Sequence, residues 1–576
     1  MANPPSSTYR LQLGPGMTFA GAGELAEYLV RLGVGALYAS PMLVASPGST
    51  HGYDVVDPTR ASDVLGGEPA RAAMCARLRE LGLGLLIDIV PNHMGVAVPA
   101  ANPWWWDVLR NGHQSAYAGY FDIDWARGPI LLPVLGDEPD PLSKLDVRDD
   151  RLWYHDLSFP VSPGTGEGTA RQVHERQHYR LVHWRRGAAD LTYRRFFDVT
   201  GLAALRVEDP TVFAASHGEV LRWVAAGDVD GLRVDHPDGL ADPGGYLRRL
   251  REAAPGAWIL VEKILHADEP LPASWPVEGT TGYDALRELC GVFVDPAGAA
   301  PLTALYAELA EVPHAAAGDV KAVEIAGKRL VASTIVRSDV RRAAGLIGRR
   351  HNRRSEAAVA ELLCAFDVYR SYLPEGQEAM RHAIEAASVA RPDLSAVIAE
   401  IAEAVFADPE GELAVRLQQT APMVMAKGVE DTAFYRYNRF IALNEVGGAP
   451  DRFGVDVGEF HAKAAAREAG WPATMTSLST HDTKRSEDVR ARLAAMSELT
   501  GDFAAAIRRW SARRGLPEPT LDLLAWQTLV GAWPIEPERL RDYLRKASKE
   551  AKLRTTWNDP DSAFDAVVES WPFQVM

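Results

Sequence analysis

Cysteine is scarce in this chain. The 576 residues contain only Cys75, Cys290 and Cys364, which are far apart and do not have the spacing of metal ligands. This pattern excludes a disulfide framework and a cysteine-based metal site. It suits a reducing compartment, so we expect a cytoplasmic protein.

Long apolar runs and basic patches are also missing. No stretch of about 18 apolar residues occurs, so no membrane span is expected. The opening "MANPPSSTYRLQLGPG" lacks the basic and apolar regions of a signal peptide. Acidic residues are spread along the chain, which has a net charge of −16, and this argues against a nucleic-acid surface. No metal cluster and no nucleotide or redox motif is evident, so we expect no cofactor and no metal.

The composition predicts an ordinary globular protein with a large core. Apolar residues make up 47% and charged residues 24% of the chain, and its length suits one large barrel with insertions, or two to four domains. The first 95 residues alternate between strand-like and helical segments, as in "TYRLQL" and "LLIDIV" around "EPARAAMCARLRELGLG". This alternation predicts an α/β fold with parallel strands.

We expect a TIM (β/α)8-type barrel with a long excursion after strand 3 and a large helical insertion before strand 7. The aromatic stretches "NPWWWDVL" and "AYAGYFDIDW" break the rhythm, and helical periodicity dominates later. The predicted division has five parts. The barrel begins with 1–95, is interrupted by an excursion at 96–200 and continues in 201–285. A helical insertion covers 286–465, and the strand 7 region with its following helices covers 466–576.

Four segments place polar side chains where an apolar run ends or is interrupted. They are "LLIDIVPNHMG", "DGLRVDHPDG", "WILVEKIL" and "TSLSTHDTKR". Catalytic residues of a β/α barrel lie at the carboxyl ends of its strands. Any one segment alone is also explained by a structural ion pair, but all four in this order favour a single site.

The residue types in these segments suit acid–base chemistry on a sugar. Arg233 and Asp235 are two apart, so a strand places them on one face, and the arginine is expected to keep Asp235 ionised by lowering its pKa. Glu262 follows an apolar run, and such surroundings raise the pKa of a carboxyl group, as a general acid requires. Two carboxyl groups about 5 to 5.5 Å apart form a retaining glycosidase pair.

In order, the four segments resemble the conserved regions of the α-amylase family of glycoside hydrolases. The resemblance implies Asp235 as nucleophile, Glu262 as general acid/base and Asp482 as transition-state stabiliser. It also implies a set of substrate-binding residues: Tyr53, Asp54, His93, Arg233, His236 and His481. A local structural hydrogen bond is an equal alternative for His236, and a barrel-supporting role is expected for Asp88.

Within that family, the chain is more similar to the maltooligosyl trehalose synthases. The similarity rests on "STYRLQL", "YASPMLVASPGSTHGYDVVDP", "AKGVEDTAFYRYNR" and "STHDTKRSEDVRARL". It implies an isomerase that converts the reducing-end α-1,4 bond of a maltooligosaccharide to an α,α-1,1 bond through a covalent glycosyl-enzyme. Such a reaction requires a closed +1 subsite that excludes water.

The segment "GVEDTAFYRYNR" is the candidate for that closed wall, with Tyr435 and Arg436 as substrate-binding residues. The alternative is that Phe434 and Tyr437, three residues apart, pack a helix into the core. Two other functions stay open: an α-amylase-type hydrolase that uses the same carboxylates, and a non-catalytic maltodextrin-binding protein.

The end of the sequence departs from the resembled family. We expect the eighth strand and the C-terminal β-domain to be missing, because only 94 residues follow Asp482 and they are mostly helical. A monomer is expected, with a second chain that completes the barrel as the alternative.

Overall fold

A sheet of six parallel strands forms the centre of the protein. The computed structural model describes residues 4–266, 268–347 and 353–576. The strands are joined in chain order, and we label them β1 to β6: Thr8–Leu11, Ala36–Ala39, Gly84–Ile89, Gly231–Val234, Trp258–Val261 and Gly279–Thr280. The first five were predicted. The sixth was missed because it is only two residues long.

Helices alternate with these strands. Strands β2, β4 and β5 are buried along their whole length, which explains the continuous apolar runs of β2 and β5. The helices are Phe19–Glu24 and Ala26–Leu32 after β1, then Gly67–Glu80, Pro210–Ala225, Pro243–Ala253 and Tyr283–Gly291. Parallel strands with intervening helices give the TIM-barrel-type fold that the alternation predicts.

The strand predicted within 475–485 is not formed. The chain runs beside β6 there, but the hydrogen bonds to the backbone of the β6 region come from side chains and not from the backbone of a seventh strand. Thr474 Oγ1 accepts a hydrogen bond from Thr280 N at 3.0 Å, and Ser477 Oγ donates to the Thr281 carbonyl at 2.6 Å. Among the described residues no strand joins the sheet beyond β6. The expected absence of an eighth strand and of a C-terminal β-domain stays a prediction.

Met475, from this segment, fills the interior of the barrel. Its side chain packs against inward-facing residues of three strands, namely Tyr38, Leu86, Trp258 and Leu260. Its sulfur also accepts a hydrogen bond from Thr8 Oγ1 of β1 at 3.5 Å. The segment therefore reaches from the β6 edge back to β1.

Small sheets occupy the chain between β3 and β4. An antiparallel sheet contains Leu145–Arg148, Arg151–Tyr154 and Leu157–Pro160, and a second contains His93–Gly95, Arg195–Phe196 and Val199–Ala204. Ile130–Leu135 and Tyr179–His183 form a parallel pair, and the main helix is Pro103–Asn111. Leu43–Ala45 and Val55–Ala61 form a hairpin between β2 and β3.

Helices dominate the chain after β6. Two apolar cores hold them, one formed within Val331–Val424 and one that includes Val294, Tyr435 and the C-terminal helices. The helices are Ala299–Leu309, His314–Ala317, Val320–Ser333, Arg337–Gly345, Arg353–Cys364, Gln377–Ala390, Ser395–Ala407, Glu412–Met425, Ala426–Ala433 (a π-helix), Phe434–Arg436, Val457–Gly470, Glu487–Met496, Thr500–Arg514, Pro519–Ala532, Pro537–Ala551, Ser562–Ser570 and Pro572–Val575. The proposed five-part division of the chain stays a prediction.

Within the described ranges, no single helix has both the length and the apolarity to cross a membrane. The pair Tyr283–Gly291 and Pro296–Leu309, bent by 82°, meets these two criteria only when taken together.

Met475→Ala should destabilise the protein. Removing a buried side chain leaves a cavity, so we expect a loss of about 2 to 5 kcal/mol and a lower thermal midpoint. Met475→Leu conserves volume and should cost less than about 1.5 kcal/mol. Val389→Ala, at a side chain that is 76% exposed, is the control. Equal midpoints for Met475→Ala and Val389→Ala would contradict this role of Met475.

Candidate active site

A buried guanidinium organises the carboxyl end of the sheet. Arg233 on β4 is fully buried, and its Nη1 lies 2.8 Å from Asp235 Oδ1 and 3.3 Å from Asp88 Oδ1. Its Nη2 lies 3.2 Å from Glu262 Oε1. The strand register pairs Arg233 with Asp88 on β3, and Glu262 follows β5 directly. One arginine therefore holds three carboxyl groups from three neighbouring strands.

The expected pKa of Asp235 is corrected by this arrangement. Arg233 was predicted to lower it, but burial raises the pKa of Asp235 to about 7 against the opposing pull of Arg233. The negative charges of Asp88 and Asp482 raise the pKa of Asp235 further. Burial raises the pKa of Glu262 well above its ordinary value, as predicted. Burial therefore favours a proton on Glu262.

His236 forms a strained turn that serves Glu262. Its backbone is left-handed, with φ of 42°, a conformation that costs a non-glycine residue about 1 to 3 kcal/mol. In this turn the His236 N–H donates to Glu262 Oε2 at 2.9 Å. The ring packs between Phe196 and Phe197. His93 packs on the other side of Phe196, and its buried Nε2 has no partner among the described residues.

Tyr53 and His481 form the opposite side of the site. Their rings stack with centroids 5.2 Å apart, and the Tyr53 hydroxyl lies 2.8 Å from His481 Nε2. The same hydroxyl donates to Asp88. His481 Nε2 also lies 3.2 Å from Asp482 Oδ2, and the Tyr283 hydroxyl donates to that oxygen at 3.4 Å. Burial lowers the pKa of His481 to about 3, so this imidazole is neutral.

These groups line a cavity of about 670 Å³. The barrel contributes the three carboxyl groups of Asp235, Glu262 and Asp482. The other side comes from chain-distant segments and includes Phe196, Phe197, Tyr369, Glu430, Asp431, Tyr435, Lys484, Arg539, Asp542, Tyr543 and Lys546. The described ranges contain no group of three or more histidine, cysteine or acidic side chains that could hold a metal ion.

Three predicted site residues do not line this cavity, namely Asp54, Arg233 and Arg436. Asp54 accepts a hydrogen bond from Ser49 Oγ. Arg436 donates from Nε to the Ala551 carbonyl at 2.6 Å and from Nη2 to the Lys552 carbonyl at 3.4 Å, so it closes the end of a helix. The structure brings the other candidates together at the cavity, with Arg233 beneath its floor. Whether each contacts substrate stays a prediction.

The segment 426–439 is divided between the cavity and the core. Glu430, Asp431 and Tyr435 face the cavity, whereas Phe434 and Tyr437 are buried in apolar cores. The residue spacing of an ordinary α-helix does not predict which side chains face the cavity and which face the core, because Ala426–Ala433 is a π-helix.

Lys484 is a cavity residue that the sequence analysis missed. Its Nζ lies 3.4 Å from Asp431 Oδ1 and 5.2 Å from the centre of the Tyr435 ring. Lys484 could have been predicted as a site residue from the sequence, because it stands two residues after Asp482. Tyr369, between the helices Arg353–Cys364 and Gln377–Ala390, and Lys546, within the helix Pro537–Ala551, have no comparable signal.

Glu262→Gln should stabilise the protein more at pH 8 than at pH 5. The folded-state pKa of Glu262 lies above its ordinary value of 4.5, so the native state binds a proton that the unfolded chain releases, and stability falls as pH rises above about 4.5. Glutamine carries no such proton. Thermal midpoints of wild type and variant at both pH values test this. Glu498→Gln, at an exposed position, is the control, and a pH-independent gap for Glu262→Gln would contradict the pKa assignment.

Comparison with known proteins places this site in a family. The model of the alpha-amylase catalytic domain matches residues 18–242. The intracellular maltogenic amylase of Bacillus subtilis is 24% identical over 273 residues, which cover 47% of this chain and 35% of the amylase.

Similarity over the whole chain is much higher to one group of enzymes. The Mycobacterium tuberculosis protein assigned as a maltooligosyl trehalose synthase is 48% identical over 99% of this chain and 76% of its own length. The structure of maltooligosyltrehalose synthase from Arthrobacter ramosus superposes with a TM-score of 0.96 at 49% identity, over 99% of this chain and 75% of that one. A Sulfolobus tokodaii structure of the same description gives 0.87 at 32% identity over 99% of this chain and 76% of that one. This chain belongs to the maltooligosyl trehalose synthase family.

Proposed function

We propose that this chain converts the reducing-end α-1,4 bond of maltooligosaccharides to an α,α-1,1 bond, as a (1→4)-α-D-glucan 1-α-D-glucosylmutase. The observation that carries the proposal is the pairing of Asp235 and Glu262 on one buried guanidinium, at the floor of a cavity walled on its other side by a polar helical segment. The names of the close relatives support the same reaction.

The first step breaks the glycosidic bond. Glu262 holds a proton because burial raises its pKa, and it donates this proton to the glycosidic oxygen. The Asp235 carboxylate, which lies 2.8 Å from Arg233 Nη1, attacks the anomeric carbon and forms a covalent glycosyl-enzyme. Asp482 lies beside His481 at the rim of the same floor, where a carboxylate stabilises positive charge that develops on the sugar.

The second step forms the new bond without water. The freed glucose stays in the cavity and turns, and its anomeric hydroxyl attacks the glycosyl-enzyme while Glu262 accepts the proton. Each displacement inverts the anomeric carbon, so the α configuration is retained. No water is consumed, and the product has the mass of the substrate.

Retention of the freed glucose depends on the far wall of the cavity. Tyr435 offers a ring face there, and Glu430 accepts hydrogen bonds from the Tyr369 hydroxyl and, at 3.4 Å, from Gly447 N. Lys484 and Asp431 pair with each other. These groups can hold sugar hydroxyls in place of water.

We also propose that the enzyme acts as a monomer and that it acts in the cytoplasm. The scarcity of cysteine supports the cytoplasmic location.

The first test is incubation with maltopentaose. We expect reducing ends to disappear while the mass of the sugar stays the same, as measured by a reducing-end assay with mass spectrometry. A rise in reducing ends with shorter products would instead show an α-amylase-type hydrolase. Binding without turnover would show a maltodextrin-binding protein.

The three carboxylates should each be essential. Asp235→Asn, Glu262→Gln and Asp482→Asn are each expected to lower turnover of maltopentaose by about 10³-fold or more, because each removes a group used in the transition state. Asp502→Asn, at an exposed position, should retain full activity. Normal turnover by any one of the three active-site variants would remove that residue from the mechanism.

A further inference from the structure

The cavity wall contains an unusual helical turn. Ala426–Ala433 is a π-helix that continues the helix Glu412–Met425. Hydrogen bonds in a π-helix span five residues, and such turns are rare and frequent at functional sites. An α-helix advances about 100° per residue, which would turn Asp431 about 140° away from Ala426. In the wider turn Ala426, Glu430 and Asp431 all face the cavity.

A buried hydroxyl and a lysine satisfy the carbonyls of this turn. Thr432, which is fully buried, donates from Oγ1 to the carbonyl of Lys427, five residues earlier, at 2.7 Å. Lys552 Nζ donates to Thr432 Oγ1 at 3.1 Å and to the Asp431 carbonyl at 3.2 Å. Because an unpaired buried carbonyl is costly, these contacts favour the π form over an α-helical register.

Two glycines let a neighbouring helix press against the turn. Gly327 lies in the helix Val320–Ser333, and a Cβ atom there would stand 2.2 Å from the Gly428 carbonyl oxygen. A Cβ atom on Gly428 would stand 2.7 Å from Lys328 Cα. Both obstacles are backbone atoms, which cannot rotate away, so any side chain at either position must displace the turn.

The two acids of the turn that line the cavity have different surroundings. Asp431 lies between Lys427 Nζ, at 3.1 Å, and Lys484 Nζ, at 3.4 Å, so it is held as a carboxylate and linked to the segment that carries Asp482. Glu430 contacts the Tyr369 hydroxyl instead, and burial raises its pKa to about 7. Side by side they present a carboxylate and a carboxyl group, which accept from and donate to sugar hydroxyls.

We propose that the π-helical turn Ala426–Ala433 sets the preference of this site for rearrangement over hydrolysis, by holding Asp431 beside Glu430 against the freed glucose. Asp431 is then a specificity-determining residue, and Gly327, Gly428 and Thr432 are positioning residues that fix the turn. The inference rests on the proposed function, since it concerns the glucose released in the first step.

The test measures how the glycosyl-enzyme is partitioned. Each variant is incubated with maltopentaose, and the ratio of hydrolysis products, glucose and maltotetraose, to isomerised pentasaccharide is determined. Thr432→Val removes the hydroxyl that donates to the Lys427 carbonyl. Gly327→Ala adds a methyl group that displaces the turn. Asp431→Asn leaves the turn in place but removes the carboxylate. We expect each to raise the ratio about tenfold or more, because small misplacements of a reacting group have large effects.

Matched controls separate this role from simple destabilisation. Thr432→Ser keeps the hydroxyl, and Gly218→Ala adds a methyl group to a helix where nothing lies within 4 Å; both should stay within about twofold of the wild-type ratio. A merely structural residue lowers both activities together. An unchanged ratio in Asp431→Asn and in every folded variant of the turn would overturn the proposal, while the wild type would still rearrange its substrate. If the wild type itself only hydrolyses maltopentaose, the proposed function fails instead.

Discussion

The site depends on one buried positive charge. Arg233 has no exposed surface and touches the carboxyl groups of Asp88, Asp235 and Glu262. A buried charge is costly unless it is paired, so the registers of β3, β4 and β5 must bring these groups to one level. Arg10 Nη2 also lies 3.7 Å from Asp88 Oδ2, so a second guanidinium helps to balance the cluster. The arrangement places the candidate acid and the candidate nucleophile in contact with the same arginine side chain.

Helices that follow the sheet supply the other half of the cavity. One apolar core holds the helices within Val331–Val424, and another includes Tyr435 and the C-terminal helices. The π-helix Ala426–Ala433 lies between them along the chain and faces the carboxylates of the barrel. These two apolar cores therefore position the helical side of the cavity.

Several elements were predictable from the sequence because their signal is local. Strands β2 and β5 are continuous apolar runs, and polar residues at the ends of β3, β4 and β5 mark the edge of the sheet where the candidate site lies. Gly279–Thr280 was missed because two residues carry no periodicity. The strand predicted within 475–485 was wrong because Thr474 and Ser477 bond to β6 through their side chains. The composition and residue spacing of a segment do not show whether it contacts a neighbouring strand through its side chains or through backbone hydrogen bonds.

The sequence by itself determined the barrel type, the order of the four motif segments and the identity of the candidate carboxylates. Tertiary structure decided the pKa of Asp235, which burial and the charges of Asp88 and Asp482 raise against the opposing effect of Arg233. It also decided that Asp431 faces the cavity while Arg436 does not. Burial depth and the register of a helical turn depend on packing between residues hundreds of positions apart, and no local pattern records them.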